Sequence, residues 1–391
     1  MAGEAQAQDM QPLASVLGIE DPEYEPRAIQ AGGFELQAGG TARIEYDSNI
    51  YAQEFGEKDD LKLIVQPQLQ ARMSKGPIEI AGDFNLNGRK YLQYESEDAL
   101  AGEAEVRLGW QPNETQRAGM MVAYRHVVED RGEPEGRIGP RLGPRELDML
   151  DGELEYSHSW SRFGVLLNAT GSRFRYDDAI DRDRDLDRYA ALVRLSYRVS
   201  GTVNVFGEGS AGYRNFRFDT PGEPTRDAAT YSGQVGVAIT PGGALRGEAA
   251  AGIYRFSPRS SLRPARTGFS AQASMVYQPR QRTAFLLEAF AGDVATYRAG
   301  AQSRQDVRVR FGVQQELFHN LRAQASAIYR RSSYFGTGIR ENTYAGMFEL
   351  EYLARRNVRL GAQVSLAKRD SEAVFEDFER ARIALQLKVT L

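Results

Sequence analysis

SYRVSGTVNV (residues 196–205) contains two runs of alternating residues separated by Ser200 and Gly201. A short turn between two such runs predicts a β-hairpin with a two-residue turn at Ser200-Gly201. Similar turn signals recur about every forty residues, at SKGP (Gly76), QPNE (Asn113), SWSR (Ser161), TPGG (Gly242), QPRQ (Arg280), FHNL (Asn320) and ARRN (Arg356). This period predicts nine hairpins between residues 34 and 391, and therefore about 18 antiparallel strands.

The two ends of the predicted strands differ in their connections. One end has the tight turns, and the other has longer polar segments, such as residues 128–146 and 177–187. Each repeat contains two strands of about 10–15 residues, which fits a tilted strand that crosses a membrane better than the short strands of a propeller blade. A β-propeller or soluble solenoid is the alternative reading of the period.

Apolar and polar residues alternate along the predicted strands. In DVRVRFGVQQEL (306–317) and RIALQLKVTL (382–391), apolar residues alternate with charged or polar ones. The apolar face carries no charge in mid-strand and is rich in Ala, Gly and Val, which suits lipid better than the core of a soluble β-sandwich. The chain is therefore predicted to be all-β, a transmembrane antiparallel β-barrel with both termini periplasmic and an aqueous lumen.

Aromatic residues cluster near both ends of the strands, as expected for girdles at the two membrane interfaces. The predicted girdle beside the tight turns contains Trp110, Trp160, Tyr197, Tyr277, Phe318 and Tyr352. The predicted girdle at the opposite end contains Tyr46, Tyr124, Phe174, Tyr176, Phe216, Phe218 and Tyr297.

The composition excludes several classes of function. The chain of 391 residues has no Cys and a net charge of −4, so neither thiolate chemistry nor nucleic-acid binding is expected. It has no run of 18 apolar residues, which excludes a transmembrane helix but not strands that cross a membrane. Because MAGEAQAQDM lacks a signal sequence, the chain is either cytosolic or a mature protein whose signal was removed, and the fold favours the second.

The segment EPRAIQAGGFELQAGGTARIEYDSNIYA resembles the start of the putative beta-barrel porin 2 family, and residues 63–98 continue the likeness. The matching residues are Pro26, Arg27, Ile29, Gly33, Phe34, Tyr46, Asp47, Asn49, Ile50 and Tyr51. The resemblance implies a large barrel in the outer membrane of a Gram-negative bacterium, in some cases associated with exopolysaccharide systems. Residues 1–33 are then expected to be a periplasmic N-terminal extension, acting as a tail or partial plug, and residues 34–391 the barrel.

The face opposite the apolar one is expected to line the lumen. Its basic residues outnumber its acidic ones, and the two types concentrate on different strands, so opposed arcs of charge are predicted to orient polar solutes. The alternative is that these charges pair across neighbouring strands and brace the wall. The lumen and selectivity candidates are Arg107, Arg125, Arg188, Arg194, Arg198, Arg308, Arg310, Arg322, Arg330, Arg359, Glu103, Glu105, Glu153, Glu155, Glu316, Glu349 and Glu351.

The function predicted is a porin-like channel for small polar or anionic solutes. The alternatives are a conduit for a secreted exopolysaccharide and a non-conducting structural barrel. The 128–146 connection is the candidate to fold inward and narrow the pore, or else it is a solvated external loop. No enzyme, cofactor or metal site is expected, and Ca²⁺ at Asp181, Asp183, Asp185 and Asp187 is disfavoured by the interleaved Arg182 and Arg184. The expected partners are outer-membrane lipid, the barrel-assembly machinery, and a small polar solute or polysaccharide.

Overall fold

The computed structural model describes residues 14–18, 23–134, 143–218, 222, 224–239, 243–298 and 300–391. These residues form strands joined by turns and loops, with 3₁₀ helices at Glu95–Glu97 and Ala179–Arg184. The strands are β1 (Ile29–Ala31), β2 (Phe34–Asp47), β3 (Asp60–Lys75), β4 (Ile78–Tyr91), β5 (Ala99–Asn113), β6 (Gln116–Val128), β7 (Glu146–Trp160), β8 (Phe163–Tyr176), β9 (Leu186–Arg198), β10 (Val203–Phe216), β11 (Ala228–Ile239), β12 (Leu245–Pro258), β13 (Arg266–Arg280), β14 (Thr283–Val294), β15 (Ser303–Phe318), β16 (Leu321–Phe335), β17 (Arg340–Arg355), β18 (Val358–Ser371) and β19 (Phe378–Thr390).

Strands β2 to β19 form a closed antiparallel barrel of 18 strands, so the predicted fold is confirmed. Each strand pairs with its neighbours in sequence, and β19 closes the ring against β2, with Arg382 opposite Asp47 and Thr390 opposite Gly39. The short strand β1 folds back on the start of β2, with Ala31 opposite Phe34. No helix among the described residues is long and apolar enough to cross a membrane.

The turn within residues 196–205 is longer than predicted. Strand β9 ends at Arg198 and β10 begins at Val203, so residues 199–202 form the connection instead of Ser200-Gly201 alone. The Ser200 hydroxyl accepts a hydrogen bond from the Val203 amide at 3.1 Å, which stabilises the wider turn. The turn predicted at Gly242 lies outside the described residues.

The first residue of the first barrel strand and the last residue of the last barrel strand both lie on the side of the tight turns. Phe34 begins β2 there and Thr390 ends β19 there, beside turns such as residues 76–77, where Gly76 adopts a φ of 59°. A positive φ favours glycine because it has no Cβ. That this side faces the periplasm stays a prediction.

The alternation of residue types corresponds to the two faces of the wall. In β15, Val309 and Phe311 are exposed on the outer surface, whereas Arg310 and Gln314 point inward and are buried. An apolar belt of exposed Leu, Val, Ile and aromatic side chains surrounds the barrel. This pattern reverses that of a soluble domain, and it is the one that lipid requires.

The girdle prediction is wrong for four aromatic residues. Tyr46, Tyr124 and Phe218 are exposed, as expected. Phe174, Tyr176, Phe216 and Tyr297 instead belong to an inward cluster with Leu147 and Leu186. The cause is register, because Phe174, Tyr176 and Phe216 lie on the lumen-facing side of their strands near the long-loop end, and Tyr297 lies in the β14–β15 loop.

Aromatic rings fill one side of the interior. The Phe206 ring lies over Gly236, and the Tyr254 ring lies over Gly268, where an added Cβ would come within 2.5 Å of the ring. The Arg194 guanidinium stacks over Phe206 at 4.0 Å from the ring centroid. The aromatic rings pack over glycines and the guanidinium packs over a ring, so side chains fill the interior beside these strands.

Candidate functional site

The lumen contains a cavity of about 960 Å³, bounded mainly by β2 to β8 and β16 to β19. We call it the lumen cavity. Its walls are charged and predominantly basic. Among the described residues, the Arg and Lys side chains lining it number eleven, namely Arg43, Lys62, Arg89, Arg125, Arg184, Arg322, Arg330, Arg359, Arg380, Arg382 and Lys388. The Asp and Glu side chains lining it in the described part of the chain number seven, namely Glu45, Glu103, Glu129, Asp130, Glu133, Glu349 and Glu351.

All the lumen candidates named from the sequence lie on the lumen-facing register of their strands. The structure divides them into two groups. Those that border the lumen cavity are Arg125, Arg322, Arg330, Arg359, Glu103, Glu349 and Glu351. Those that lie on the same register but not at this cavity are Arg107, Arg188, Arg194, Arg198, Arg308, Arg310, Glu105, Glu153, Glu155 and Glu316. Their role in selectivity stays a prediction.

Many of these charges form ion pairs between strands. Arg125 donates to Glu103 on β5 and to Asp151 on β7, both at 2.6 Å. Arg194 donates to Glu208 on β10 at 2.9 Å and to Glu248 on β12 at 2.7 Å. Such pairs connect neighbouring strands and, from Arg194 to Glu248, strands that are further apart, so part of the lumen charge braces the wall.

The β6–β7 loop (129–145) folds into the barrel at its described ends, while residues 135–142 lie outside the described residues. Asp130 accepts hydrogen bonds from Arg380 and from Arg382 on β19, each at 2.8 Å. Removal from water would raise the pKa of Asp130, but the two guanidinium charges and the Gly132 amide hold it well below its usual range.

The same loop reaches the far wall of the lumen. Glu133 accepts a hydrogen bond from Arg330 on β16 at 2.9 Å, and Arg369 on β18 donates to the Gly132 carbonyl. Between β6 and β16 there are seven strands in one direction around the barrel and nine in the other. The loop therefore crosses the lumen, and the expectation of a solvated external loop is not met by its described residues.

The β14–β15 loop (295–302) also turns inward at this end. Arg298 donates to Glu341 at 2.6 Å and to Glu376 at 2.5 Å. Burial would lower the pKa of Arg298, but the hydrogen bond that it donates to Glu376 and the negative charge of nearby Glu341 raise it. The Tyr297 ring packs edge-on against Tyr176, 6.0 Å between centroids. Inward loops and the aromatic cluster therefore narrow the long-loop mouth.

One buried carboxylate at this mouth, Asp47, was not identified as a site residue from the sequence. Asp47, at the end of β2, has no exposed surface and accepts hydrogen bonds from Arg380 at 2.6 Å and Arg382 at 3.1 Å. Lys62 lies 3.4 Å away. Arg380 and Arg382 are two residues apart, which indicates that both lie on the same face of β19. Nothing in the local sequence indicated that Asp130 would contact them.

The aspartates of residues 181–187 face arginines and not one another. Asp181 binds Arg145 at 2.9 Å, and Asp187 binds Arg217 and Arg173, each at 3.0 Å. Asp185 accepts from the Tyr176 amide at 2.8 Å. The absence of a Ca²⁺ site at these aspartates stays a prediction.

The sequence matches the family described as Putative beta-barrel porin 2 over residues 21–391. The chain belongs to this porin family. It is a porin-like barrel of the outer-membrane type, and the family predicted from residues 26–51 and 63–98 is confirmed. No curated protein matches the sequence.

Solved structures share the barrel fold at low sequence identity. OpdK of Pseudomonas aeruginosa, crystallised with vanillate, aligns with a TM-score of 0.50 at 9% identity, over 91% of this chain and 99% of its own. OccK2 (OpdF) of the same organism aligns with a TM-score of 0.49 at 11% identity, over 91% and 98%. The FrpB iron transporter of Neisseria meningitidis aligns with a TM-score of 0.49 at 9% identity over 88% of this chain, which spans 62% of the transporter's length.

Proposed function

We propose that the protein is an outer-membrane channel that passes small polar solutes and prefers anions. The observation that carries this proposal is the sign of the lumen charge. The chain as a whole has a net charge of −4, yet among the residues that the structure describes eleven Arg and Lys side chains line the lumen cavity against seven Asp and Glu. A wall with an excess of one sign concentrates mobile ions of the opposite sign.

The inward loops support a size limit. A barrel of this strand number leaves an aqueous lumen, and here the β6–β7 loop crosses it and binds β16, β18 and β19. The lumen cavity, about 960 Å³ in volume, is of the size that holds small molecules. Passage of small solutes fits this geometry better than passage of a polysaccharide chain, which would need the loop displaced.

The arginines of the lumen are the reason to expect that small carboxylates are preferred among the anions. A guanidinium offers paired donors in a plane, which match a carboxylate. Arg322 and Arg359 border the lumen cavity together with Lys388, all toward the tight-turn end of the barrel. We propose that a small carboxylate passes these cations on its way through. The proposal assigns no catalytic role to any residue.

The experiment is single-channel recording of the purified protein in a planar lipid bilayer, followed by reversal potentials in a KCl gradient. We expect stable conductance steps and a reversal potential displaced toward that of chloride. Cation preference would contradict the role of the basic lumen. A folded barrel that gives no steps would contradict the channel itself and favour a structural barrel or a conduit that opens only with a partner.

A further inference from the structure

The lumen face of β13 and β14 carries an apolar patch. Ala284 and Leu286 point inward and are almost completely buried, and Val276 packs beside them. An apolar patch on the wall of an aqueous lumen is unfavourable unless something covers it. The cover is residues 14–18 of the same chain, which we call the N-terminal segment. Its Leu17 is only 6% exposed and packs against this patch together with Val16.

The wall also recognises the backbone of the N-terminal segment. The Gln314 side chain on β15 accepts a hydrogen bond from the Val16 amide at 2.9 Å and donates one to the Ala14 carbonyl at 3.0 Å. Arg322 on β16 donates to the Gly18 carbonyl at 2.5 Å. The Gln314 side-chain amide accepts from a backbone N–H and donates to a backbone C=O. It therefore satisfies the hydrogen-bonding groups of an extended peptide as a neighbouring strand would.

The path of the chain is consistent with entry from the tight-turn side. The Tyr24 ring lies 5.9 Å from the ring of His319, which occupies the turn between β15 and β16. Residues 29–31 then pair with the start of β2, on the other side of β17 to β19. The chain thus leads from the wall at β15 and β16 across the tight-turn opening to the first barrel strand.

We propose that the inner wall formed by β13 to β16 is a binding groove for the chain's own N-terminal segment, and that the bound segment narrows the channel. Ser15 and Leu17 border the lumen cavity, so the segment occupies space that solute would otherwise fill. The narrowing rests on the channel function proposed above, whereas the binding itself does not.

Disulfide cross-linking in the full chain tests the groove. Because the protein has no Cys, a disulfide formed within one molecule can only join the two introduced thiols. Leu17→Cys combined with Ala284→Cys is expected to cross-link under mild oxidation, with the linked peptides identified by mass spectrometry. The matched control combines Leu17→Cys with Ala101→Cys, which borders the lumen cavity on β5. Leu17→Cys with Leu286→Cys is a second test pair, should the first pair fold poorly, because Leu17 and Leu286 belong to the same buried cluster.

We expect the test pairs to give at least about ten times the yield of the control, because the packed contact keeps the two side chains adjacent. Equal yields, or no link in either test pair, would overturn the groove. Leu17→Asp places a carboxylate on the apolar patch, so it is expected to weaken binding at least about tenfold and to increase the conductance. A specific cross-link in a barrel that never conducts would support the groove and contradict the channel. Conduction without a cross-link would support the channel and contradict the groove.

Discussion

The carboxylate of Asp130 accepts a hydrogen bond from Arg380 at 2.8 Å, although Asp130 follows β6 and Arg380 lies on β19. Strands β2 to β5 separate the two in the wall, so this contact passes through the lumen. Arg380 simultaneously binds the fully buried Asp47, which fixes its guanidinium. The contact therefore joins a rigid wall to the β6–β7 loop, and it explains how a loop with many Gly and Pro residues can narrow a channel.

Removing the Asp130 charge is expected to widen the channel. In Asp130→Asn the loop loses its ion pairs with Arg380 and Arg382, so it should leave the lumen part of the time and the mean conductance should rise. Single-channel recording measures this. Asp183→Asn is the matched control, since it removes a carboxylate 3.8 Å from Arg226 at the same mouth without touching this loop. An unchanged conductance in Asp130→Asn would show that other contacts hold the loop.

The effect of pH on the β6–β7 loop follows from the lowered pKa of Asp130. A carboxylate whose pKa is lowered by its partners stabilises the closed loop above its unperturbed pKa of about 3.9. That stabilisation is lost only as the pH falls through the lowered value. Conductance should thus stay constant from neutral pH down to about pH 4, and rise only in stronger acid. An Asp130-dependent transition near neutral pH, absent in Asp130→Asn, would contradict this.

Reversing a lumen charge is expected to change selectivity. Lys388 borders the lumen cavity, so Lys388→Glu replaces a cation by an anion on the path of the solute. A unit charge at 4 Å contributes about 1 kcal/mol in water, so this change of two charges alters the interaction with a passing ion by about 2 kcal/mol. It should therefore lower the ratio of anion to cation permeability by more than about tenfold. Lys368→Glu is the control, because Lys368 is exposed and pairs with Glu379 on the outside. Equal reversal potentials for both variants would place the selectivity elsewhere.

The sequence predicted the architecture because the architecture follows from local patterns. The spacing of the turns predicts the number of strands. The alternation along each strand predicts which side chains face lipid and which face inward, as Arg125 and Arg359 do. The same alternation, applied strictly, would have placed Phe174 and Tyr176 inside instead of in a girdle. Proximity to a strand end was the weaker criterion, since it ignores the face.

Contacts across the lumen could not be predicted in the same way. Asp130 and Arg380 are 250 positions apart, and no periodicity relates a loop to the opposite wall. The N-terminal segment is similar, because its contact with Gln314 depends on where the chain enters the barrel. Such contacts depend on the closed ring, so they appear only once the three-dimensional arrangement is known.

The packing of rings over glycines is expected to contribute measurably to stability. In Gly236→Ala the new Cβ would lie 2.6 Å from the Ala249 carbonyl oxygen and would collide with the Phe206 ring. Overpacking of this kind costs about 1–3 kcal/mol. Gly233→Ala on the same strand is the control, because its Cβ would meet nothing within 4 Å. Urea unfolding in detergent should separate the two, and equal midpoints would show that the Phe206 ring moves aside at little cost.

The ion pairs of Arg298 provide the strongest test of the narrowed mouth. Arg298 binds Glu341, which is 1% exposed, at 2.6 Å and Glu376 at 2.5 Å. Arg298→Ala leaves Glu341 as a buried carboxylate without this partner, a loss that costs about 3–5 kcal/mol. Arg259→Ala removes a solvent-exposed guanidinium from its pair with Asp227 and should lower the stability much less, because water screens the exposed charge. Thermal unfolding of both variants measures the difference, and limited proteolysis reports whether the β14–β15 loop has become accessible. Equal melting temperatures with no new cleavage would mean that the aromatic contact of Tyr297 with Tyr176 holds the loop on its own.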